Sequence, residues 1–179
     1  RTGDQGGHDR QLPLPSWPMI RPLRPDDAER VLAINEANTP EVGSIDADRL
    51  NFLIDESAIA LVAEAPDDTA DVVGLCLVLP PGSPYDSVNY RWFSERYDRF
   101  MYLDRVAIDA VHQGRGLGTA LYAEVGRLLI EQFAAVPLAL EINDSESRQR
   151  ALTSEPAAPT PPAALVVPAG PPPPVSAPQ

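Results

Sequence analysis

A glycine-dense segment between a predicted strand and a predicted helix is the part of this sequence best suited to chemistry. It reads V-A-I-D-A-V-H-Q-G-R-G-L-G-T over residues 106–119. The first backbone amides of a helix have no partners inside the helix and carry the positive end of its dipole, so they favour an anion such as phosphate. Gly114, Gly116 and Gly118 lack the Cβ atoms that would hold a phosphate away from the backbone, and Arg115 adds a cation. The segment predicts a phosphate-binding loop, the alternative being a tight strand–helix connection whose glycines serve turn geometry alone.

The spacing of these glycines disfavours two common nucleotide sites. A Walker loop needs G-x-x-x-x-G-K-[ST], and no lysine follows the glycines here. A dinucleotide fingerprint needs G-x-G-x-x-G, usually after the first strand of a βαβ unit, whereas this sequence has G-x-G-x-G after several other elements. The phosphate ligand is therefore expected to belong to another class.

Composition excludes several functions. The formal charge of 14 − 26 = −12 argues against a nucleic-acid partner, because an acidic surface repels phosphate backbones. Cys76 is the only cysteine, so a disulfide framework and a cysteine zinc site are excluded; we expect no metal and a buried, inert thiol. No apolar run approaches the ~20 residues of a membrane span, and no signal pattern is present. A cytoplasmic protein without a membrane partner is expected, its oligomeric state being open.

The elements that must position the glycine segment lie between residues 19 and 143. Apolar runs predict strands at residues 19–23, 58–65, 72–79, 100–109 and 136–142. Helical patterns start at residue 25, cover residues 46–54, and cover residues 116–134, where Leu117, Leu121, Val125, Leu128 and Leu129 form one apolar stripe. No regular element is predicted for the aromatic segment 85–97.

Both ends of the chain differ from this middle part. Residues 1–18 have no periodic pattern, and residues 144–179 hold 10 of the 21 prolines. Because proline interrupts helices and strand ladders, we expect the tail to be disordered with polyproline II character. The predicted organisation is a disordered N-terminal extension at 1–18, one domain at 19–143 and a disordered Pro/Ala-rich tail at 144–179.

The glycine segment also carries a family resemblance. Q-G-R-G-L-G at 113–118 resembles the Q/R-x-x-G-x-G/A signature of GNAT acetyltransferases, and I-R-P-L-R-P-D-D at 20–27 is similar to their first strand and helix start. The predicted element order β-α-α-β-β-β-α-β matches as well. The resemblance implies an α/β (α+β) GNAT acyl-CoA N-acyltransferase fold, a mixed central sheet flanked by helices. It also implies acetyl-CoA as co-substrate and transfer of acetyl to an amine of a small molecule, peptide or protein.

The resemblance assigns cofactor-binding residues by position. Backbone groups of Val106, Ala107 and Ile108 would hold the pantetheine arm and the acetyl carbonyl. The pyrophosphate would bind the amides of Gln113, Gly114, Arg115, Gly116, Leu117, Gly118 and Thr119. Asn143 looks like the family's asparagine near the cofactor, with a strand-ending turn residue as the alternative.

Catalytic residues are less clearly marked. Acetyl transfer requires a neutral amine, a stabilised oxyanion and a protonated leaving thiolate. Where some family members carry a glutamate base, this chain has Tyr102. Asp104 and Glu141, on adjacent predicted strands, are the candidates, although an ion-paired or substrate-orienting role is favoured for each. His112 has a titratable ring near the glycines, and we expect a solvated loop residue.

The aromatic segment 85–97 precedes the strand that would bind the cofactor. Its rings could enclose the acceptor, with packing as the alternative, and its Asp86 or Glu95 could attract an ammonium group. The rings concerned are Tyr90, Trp92, Phe93 and Tyr97.

The resemblance stops near residue 143. Family members continue into another helix and two strands, and residues 144–179 contain nothing similar. We therefore expect the C-terminal helix and last strands to be missing, through truncation or a frameshift near 144–147, and an open sheet edge after the strand at 136–142. Two other functions remain. One is a non-catalytic acyl-CoA-binding protein. The other is a ligand of SH3 or WW domains that binds through its proline-rich tail, although this tail has no basic residue and no tyrosine after Arg150.

Overall fold

The fold is a mixed sheet with helices on both faces. The computed structural model describes residues 19–65 and 71–140 with their side chains. Of Glu141 and Ala164–Val167 it describes the backbone alone. The helices are α1 (Ala28–Ala37), α2 (Ala47–Glu56), α3 (Val88–Ser94) and α4 (Leu117–Gln132). The strands are β1 (Ile20–Pro22), β2 (Ile59–Glu64), β3 (Val72–Leu79), β4 (Met101–Ile108), β5 (Leu138–Glu141) and β6 (Ala164–Val167). Short 3-10 turns lie at Pro25–Asp27 and Ala110–His112.

The strands follow one another across the sheet in the order β1-β2-β3-β4-β5-β6. Every neighbouring pair is antiparallel except β4 and β5, which are parallel. One apolar layer lies between the sheet and α1, α2 and α3, and a second lies between the sheet and α4. This arrangement confirms the predicted fold class. Among the described residues, no helix is both long and apolar enough to cross a membrane.

Helix α4 covers one face of the sheet through the stripe read from the sequence. Leu117, Leu121, Val125 and Leu129 are each at most 2% exposed, as residues spaced by three and four along a helix should be when that face is buried. The polar side of the helix carries Arg127, which pairs with carboxylates one turn before and one turn after it. The stripe fixes how the N-terminus of α4 meets the end of β4.

The aromatic segment contains a helix that the sequence analysis missed. In α3, the Ser87 hydroxyl accepts a hydrogen bond from the Tyr90 amide and so caps the helix. Tyr90 and Phe93, three residues apart, point into the core. With only seven residues, α3 is too short to establish a helical period in the sequence, although the serine cap was a usable signal.

The expectation that the tail could not join a strand ladder is wrong for four residues. Ala164–Val167 forms β6 and pairs antiparallel with β5, Leu138 opposite Val167 and Glu141 opposite Ala164. The expected open edge beside β5 is therefore occupied along this stretch. The reason is local, since residues 163–167 lack proline and end in Leu-Val-Val, a sequence with strong strand preference. Residues 1–18, 66–70, 142–163 and 168–179 lie outside the described part, and Asn143 is among them.

Candidate active site

Within the described residues, the two central parallel strands pair along only part of β4. Pairing between β4 and β5 runs from Met101 opposite Leu138 to Leu103 opposite Leu140. Strand β4 then continues to Ile108 and pairs, within the described residues, with β3 alone. The described part of β5 ends at Glu141, so no described strand pairs with Asp104–Ile108 on the side facing away from β3.

A β-bulge lies where this pairing ends. Leu77 of β3 pairs with Arg105, and the next residue, Val78, pairs with Leu103, so Asp104 has no residue opposite. An extra residue of this kind bends a strand and redirects side chains, and bulges are common beside active sites. Here the two neighbouring polar residues at the bulge, Asp104 and Arg105, form an ion pair with each other at 2.7 Å.

The glycine segment forms a concave cradle at the end of β4. It encloses about 290 Å³, lined by residues of the segment together with Ile108 and His112. Gly114 and Gly116 have φ of +74° and +82°, a region that side-chain-bearing residues rarely adopt. A Cβ at Gly114, Gly116 or Gly118 would point into open space rather than into protein. The absence of side chains at these glycines therefore leaves the cradle open.

The amides at the start of α4 are suited to an anion. The first intrahelical bond runs from the Ala120 amide to the Gly116 carbonyl at 3.0 Å, so the amides of residues 117–119 have no partner within the helix. No side chain caps α4, whereas Asp46 caps α2 through its carboxylate. An uncapped helix N-terminus facing a cleft is an anion site in which backbone donors and the helix dipole act together.

The side chain of Gln113 ties the cradle to α1. Its Nε2 donates to the Asn38 Oδ1 at 3.2 Å and to the Ile108 carbonyl at 3.1 Å. Asn38 Nδ2 donates to the same Ile108 carbonyl at 3.1 Å and to the Ile34 carbonyl at 2.8 Å. Gln113 therefore shapes the loop through its side chain, a role that its predicted amide contact had not indicated.

A second, larger cleft of about 440 Å³ opens beside β4. Its walls come from the loop after α1, the residues before α3, the middle of β4 and one side chain of α4. They are Pro40, Glu41, Val42, Gly43, Tyr85, Ser87, Asn89, Tyr102, Leu103, Asp104, Arg105, Val106 and Tyr122. Because Val106 borders this cleft and Ile108 borders the cradle, β4 runs from one cavity to the other.

The floor of the second cleft is a buried polar network. The Asp104 side chain is 5% exposed; its Oδ1 accepts from the Tyr85 hydroxyl at 2.5 Å and its Oδ2 from Arg105 Nε at 2.7 Å. Arg105 also donates from NH1 to the Asn35 Oδ1 at 2.7 Å. Asn35 Nδ2 in turn donates to the Gly43 carbonyl at 3.2 Å, in the loop that walls the cleft. Both charges are paired and hydrogen-bonded, as buried charges must be.

The catalytic candidates stand as follows. Asp104 lines the cleft, with each carboxylate oxygen engaged by a donor. Glu141 ends β5, the parallel neighbour of β4, and only its backbone is described. Tyr102 is buried at 2% exposure and also reaches the cleft. The sequence analysis missed Tyr85, Arg105 and Asn35, because their partners lie 19 to 70 residues away in the chain.

Several predicted acceptor residues are in other places. Tyr90 and Phe93 are buried in the core, and Trp92 lies beneath the Arg96 guanidinium at 4.2 Å. Asp86 pairs with Arg49 and Glu95 pairs with Arg96, and neither carboxylate borders the cleft. The alternative interpretation, that the aromatic segment serves packing, holds for these side chains. The exposed Arg115 does not line the cradle either.

His112 and Cys76 also differ in their surroundings. His112 is half-buried at the cradle, and its Nδ1 is buried without a hydrogen-bond partner, so the expected solvated loop histidine is wrong. Cys76 is fully buried in β3, and burial raises the pKa of its thiol to about 12. A thiol with this pKa is not a nucleophile at neutral pH, as expected.

The comparisons with known proteins agree with this geometry. The sequence matches the model of the acetyltransferase (GNAT) family over residues 20–152. A GNAT family acetyltransferase from Brucella melitensis, crystallised with acetyl-CoA, superposes with a TM-score of 0.50 at 20% identity, covering 75% of this chain and 82% of its own. Arabidopsis thaliana NAA60 with acetyl-CoA gives a TM-score of 0.55 at 17% identity, with 75% and 82% covered.

A third solved structure is the ribosomal-protein-S18-alanine N-acetyltransferase of Escherichia coli. It gives a TM-score of 0.54 at 16% identity, covering 76% of this chain and 74% of its own. No curated protein matches the sequence. At these identities the superpositions establish the fold, and the family match establishes the class: the chain belongs to the GNAT acetyltransferase family. Acetyl-CoA is the co-substrate of that family, as the family resemblance had implied.

Proposed function

We propose that this protein transfers the acetyl group of acetyl-CoA to a primary amine of a small molecule or a protein. The observation that supports this most strongly is the uncapped N-terminus of α4, which faces a glycine-lined cradle at the end of β4. The cradle is suited to a pyrophosphate, and the backbone of β4 beside it is suited to an extended amide-containing arm.

Each predicted binding residue has a role in this proposal. Amides in the range 113–119 would hold the pyrophosphate, those of Leu117, Gly118 and Thr119 with the help of the helix dipole. Backbone groups of Val106, Ala107 and Ile108 would hold the pantetheine arm and direct the thioester toward the larger cleft. The Ile108 carbonyl is not among these groups, because it already accepts from Asn38 and Gln113. Asn143, outside the described residues, remains a prediction. When bound, acetyl-CoA supplies the activated acyl group.

The larger cleft suits the amine. Its described lining includes two carboxylates, Glu41 and Asp104, and one cation, Arg105, which pairs with Asp104. The formal charge of these side chains is negative, which favours a cationic group entering as ammonium. The amine must then lose a proton before its lone pair attacks the thioester carbonyl, and the departing thiolate must gain one. Both carboxylate oxygens of Asp104 are held by donors, one of them cationic, so Asp104 is better suited to positioning the side chains around the amine than to removing its proton.

That restraint on Asp104 favours a second candidate function, binding of acyl-CoA without catalysis. The two functions differ in a simple assay: free thiol released from acetyl-CoA is measured with and without a panel of primary amines. Amine-dependent thiol release supports the transferase. Saturable acetyl-CoA binding without such release would support the binding protein, and a folded chain that does neither would reject both. The cytoplasmic location stays a prediction from the sequence.

A further inference from the structure

We infer that the hydroxyl oxygen of Tyr85 accepts a hydrogen bond from an N–H of the acceptor's amine. It would thereby select acceptors that carry a free N–H. This inference rests on the proposed function and names the residue that contacts the amine in that site. It depends on how the Tyr85 hydroxyl is already bonded, on what holds its ring, and on its place in the cleft wall.

The single proton of the Tyr85 hydroxyl is already committed. It is donated to the Asp104 Oδ1, with an oxygen–oxygen distance of 2.5 Å, and Tyr85 also lines the larger cleft. A phenol has one donor, so the oxygen has only acceptor capacity left for a ligand. Burial, with the negative charge of Asp104 beside it, raises the pKa of Tyr85 well above its usual range. The hydroxyl therefore keeps its proton, and the oxygen stays an acceptor at physiological pH.

The carboxylate that takes this proton is fixed in turn. Its other oxygen accepts from Arg105 Nε at 2.7 Å, and Arg105 is anchored on Asn35, which is fully buried. Asp104 therefore has little freedom to rotate away from Tyr85. In this scheme Asp104, Arg105 and Asn35 are positioning residues, and Tyr85 alone meets the acceptor.

The ring of Tyr85 is held from several sides. The Arg49 guanidinium carbon lies 5.0 Å from the ring centroid, and the rings of Tyr90 and Tyr102 lie 5.6 and 6.4 Å away. Arg49 is itself ion-paired with Asp86. A site whose hydrogen-bonding atom is fixed before binding loses less entropy when the ligand arrives. The phenol oxygen is thus a preorganised acceptor in a wall that includes carboxylates.

A ligand pair separates this contact from general attraction of cations to aromatic rings. Phenethylamine carries an ammonium with N–H groups, and its N,N,N-trimethyl derivative carries the same charge without any N–H. Cation–π attraction acts on both, whereas a hydrogen bond to Tyr85 acts on the first alone. The affinities of both ligands for the full chain are measured by calorimetry without acetyl-CoA, for the wild type, Tyr85→Phe and Tyr90→Phe.

Tyr90→Phe is the matched control. The Tyr90 hydroxyl donates to the Pro80 carbonyl at 2.6 Å and accepts from the Ser83 amide at 2.9 Å, and Tyr90 does not line the cleft. Its loss removes a buried phenol hydroxyl close to Tyr85 without touching the amine position. We expect Tyr85→Phe to weaken phenethylamine about tenfold, as for a hydrogen bond to a charged group, and to leave the trimethyl ligand unchanged. Tyr90→Phe should leave both affinities unchanged.

Equal losses for the two ligands, or no loss for phenethylamine, would overturn the inference, and so would a folded wild type that binds neither ligand. If Tyr85→Phe does not fold, the wild type decides: phenethylamine must bind at least about tenfold tighter than the trimethyl ligand. Because acetyl-CoA is absent, the result is independent of turnover. A chain that binds phenethylamine through Tyr85 but releases no thiol would uphold this inference and reject the transferase.

Discussion

The two cavities along strand β4 are built in opposite ways. At its C-terminal end, the cradle consists of backbone amides and glycines from one contiguous stretch, residues 113–119. Beside its middle, the larger cleft is lined by side chains from separate parts of the chain, and the network beneath it joins Arg105 to Asn35, 70 residues apart. A site made from backbone can be recognised in a short motif, whereas a site made from distant side chains exists only once the chain has folded.

The comparison predicts unequal sensitivity to substitution. The larger cleft contains buried charges whose partners are other side chains, so removing one partner should lower the free energy of unfolding. The cradle contains few side chains, so most substitutions there should change ligand binding with less effect on the fold. The predictions below test this difference, from the largest expected effect to the smallest.

Arg105→Ala should be the most destabilising change at the larger cleft. It leaves the Asp104 carboxylate buried without its cation and removes the bond to Asn35. Losing one partner of a buried pair costs about 3–5 kcal/mol, so the free energy of unfolding measured in urea should fall by about that amount. The control is Arg96→Ala, which breaks an exposed pair with Glu95 and should cost about 0–1 kcal/mol. Similar costs for the two variants would show that the buried network does not support the fold.

Gln113→Ala should have a moderate effect, and on binding rather than on stability. The change removes two hydrogen bonds, at 3.2 and 3.1 Å, that tie the cradle to Asn38 and to the Ile108 carbonyl. If about 1 kcal/mol of preorganisation is lost, acetyl-CoA should bind about fivefold more weakly by calorimetry, with the urea midpoint nearly unchanged. Gln132→Ala, at the far end of α4, is the control. Unaltered affinity for acetyl-CoA in Gln113→Ala would show that the Gln113 side chain does not preorganise the cradle.

The smallest effect concerns acid stability, away from both ends of the site. The Asp27 carboxylate accepts hydrogen bonds from the Arg21 guanidinium at 2.7 and 2.9 Å and from the Arg24 amide at 2.7 Å. The hydrogen bonds from Arg21 lower the pKa of Asp27 despite the opposing effect of its burial. The unfolded chain, with a carboxyl pKa of about 3.9, therefore takes up the proton first as pH falls.

Stability from Asp27 should accordingly be complete above the unfolded pKa and should be lost as the pH drops through the lower folded pKa. In Asp27→Asn, the free energy of unfolding should be lower at pH 7 and should fall less steeply between about pH 5 and pH 3. Urea unfolding at several pH values measures this, with Asp26→Asn at the exposed neighbouring position as the control. A slope equal to the wild type's would contradict the assigned role of Asp27.

The same comparison explains what could be read from the sequence. The strand–glycine–helix unit was predictable because β4, the glycines and the stripe of α4 lie within about thirty residues and each leaves a periodic or compositional mark. Helix α3 was missed because seven residues give too few turns for a period. The contacts of Tyr85 with Asp104 and of Asn35 with Arg105 could not be predicted, since the paired residues lie 19 and 70 positions apart and nothing local indicates that they will meet.

The tail was misjudged for a related reason. Its overall composition, dominated by proline and alanine, concealed a proline-free stretch ending in Leu-Val-Val that pairs with β5. Average composition predicts the behaviour of a segment, but a four-residue strand needs only four suitable residues and an available partner edge.

The N-terminus of α4 is the position that we propose for the pyrophosphate of acetyl-CoA. The most direct test is calorimetric titration of acetyl-CoA into the wild type, Gly118→Glu and Gly126→Glu. Both glycines lie in α4 with open space at the Cβ position, so the two variants add the same side chain and charge to the same helix. The claim predicts saturable binding by the wild type and Gly126→Glu, and a loss of about a hundredfold or more in Gly118→Glu, where the new carboxylate occupies the anion position. Equal binding by all three folded proteins would contradict it.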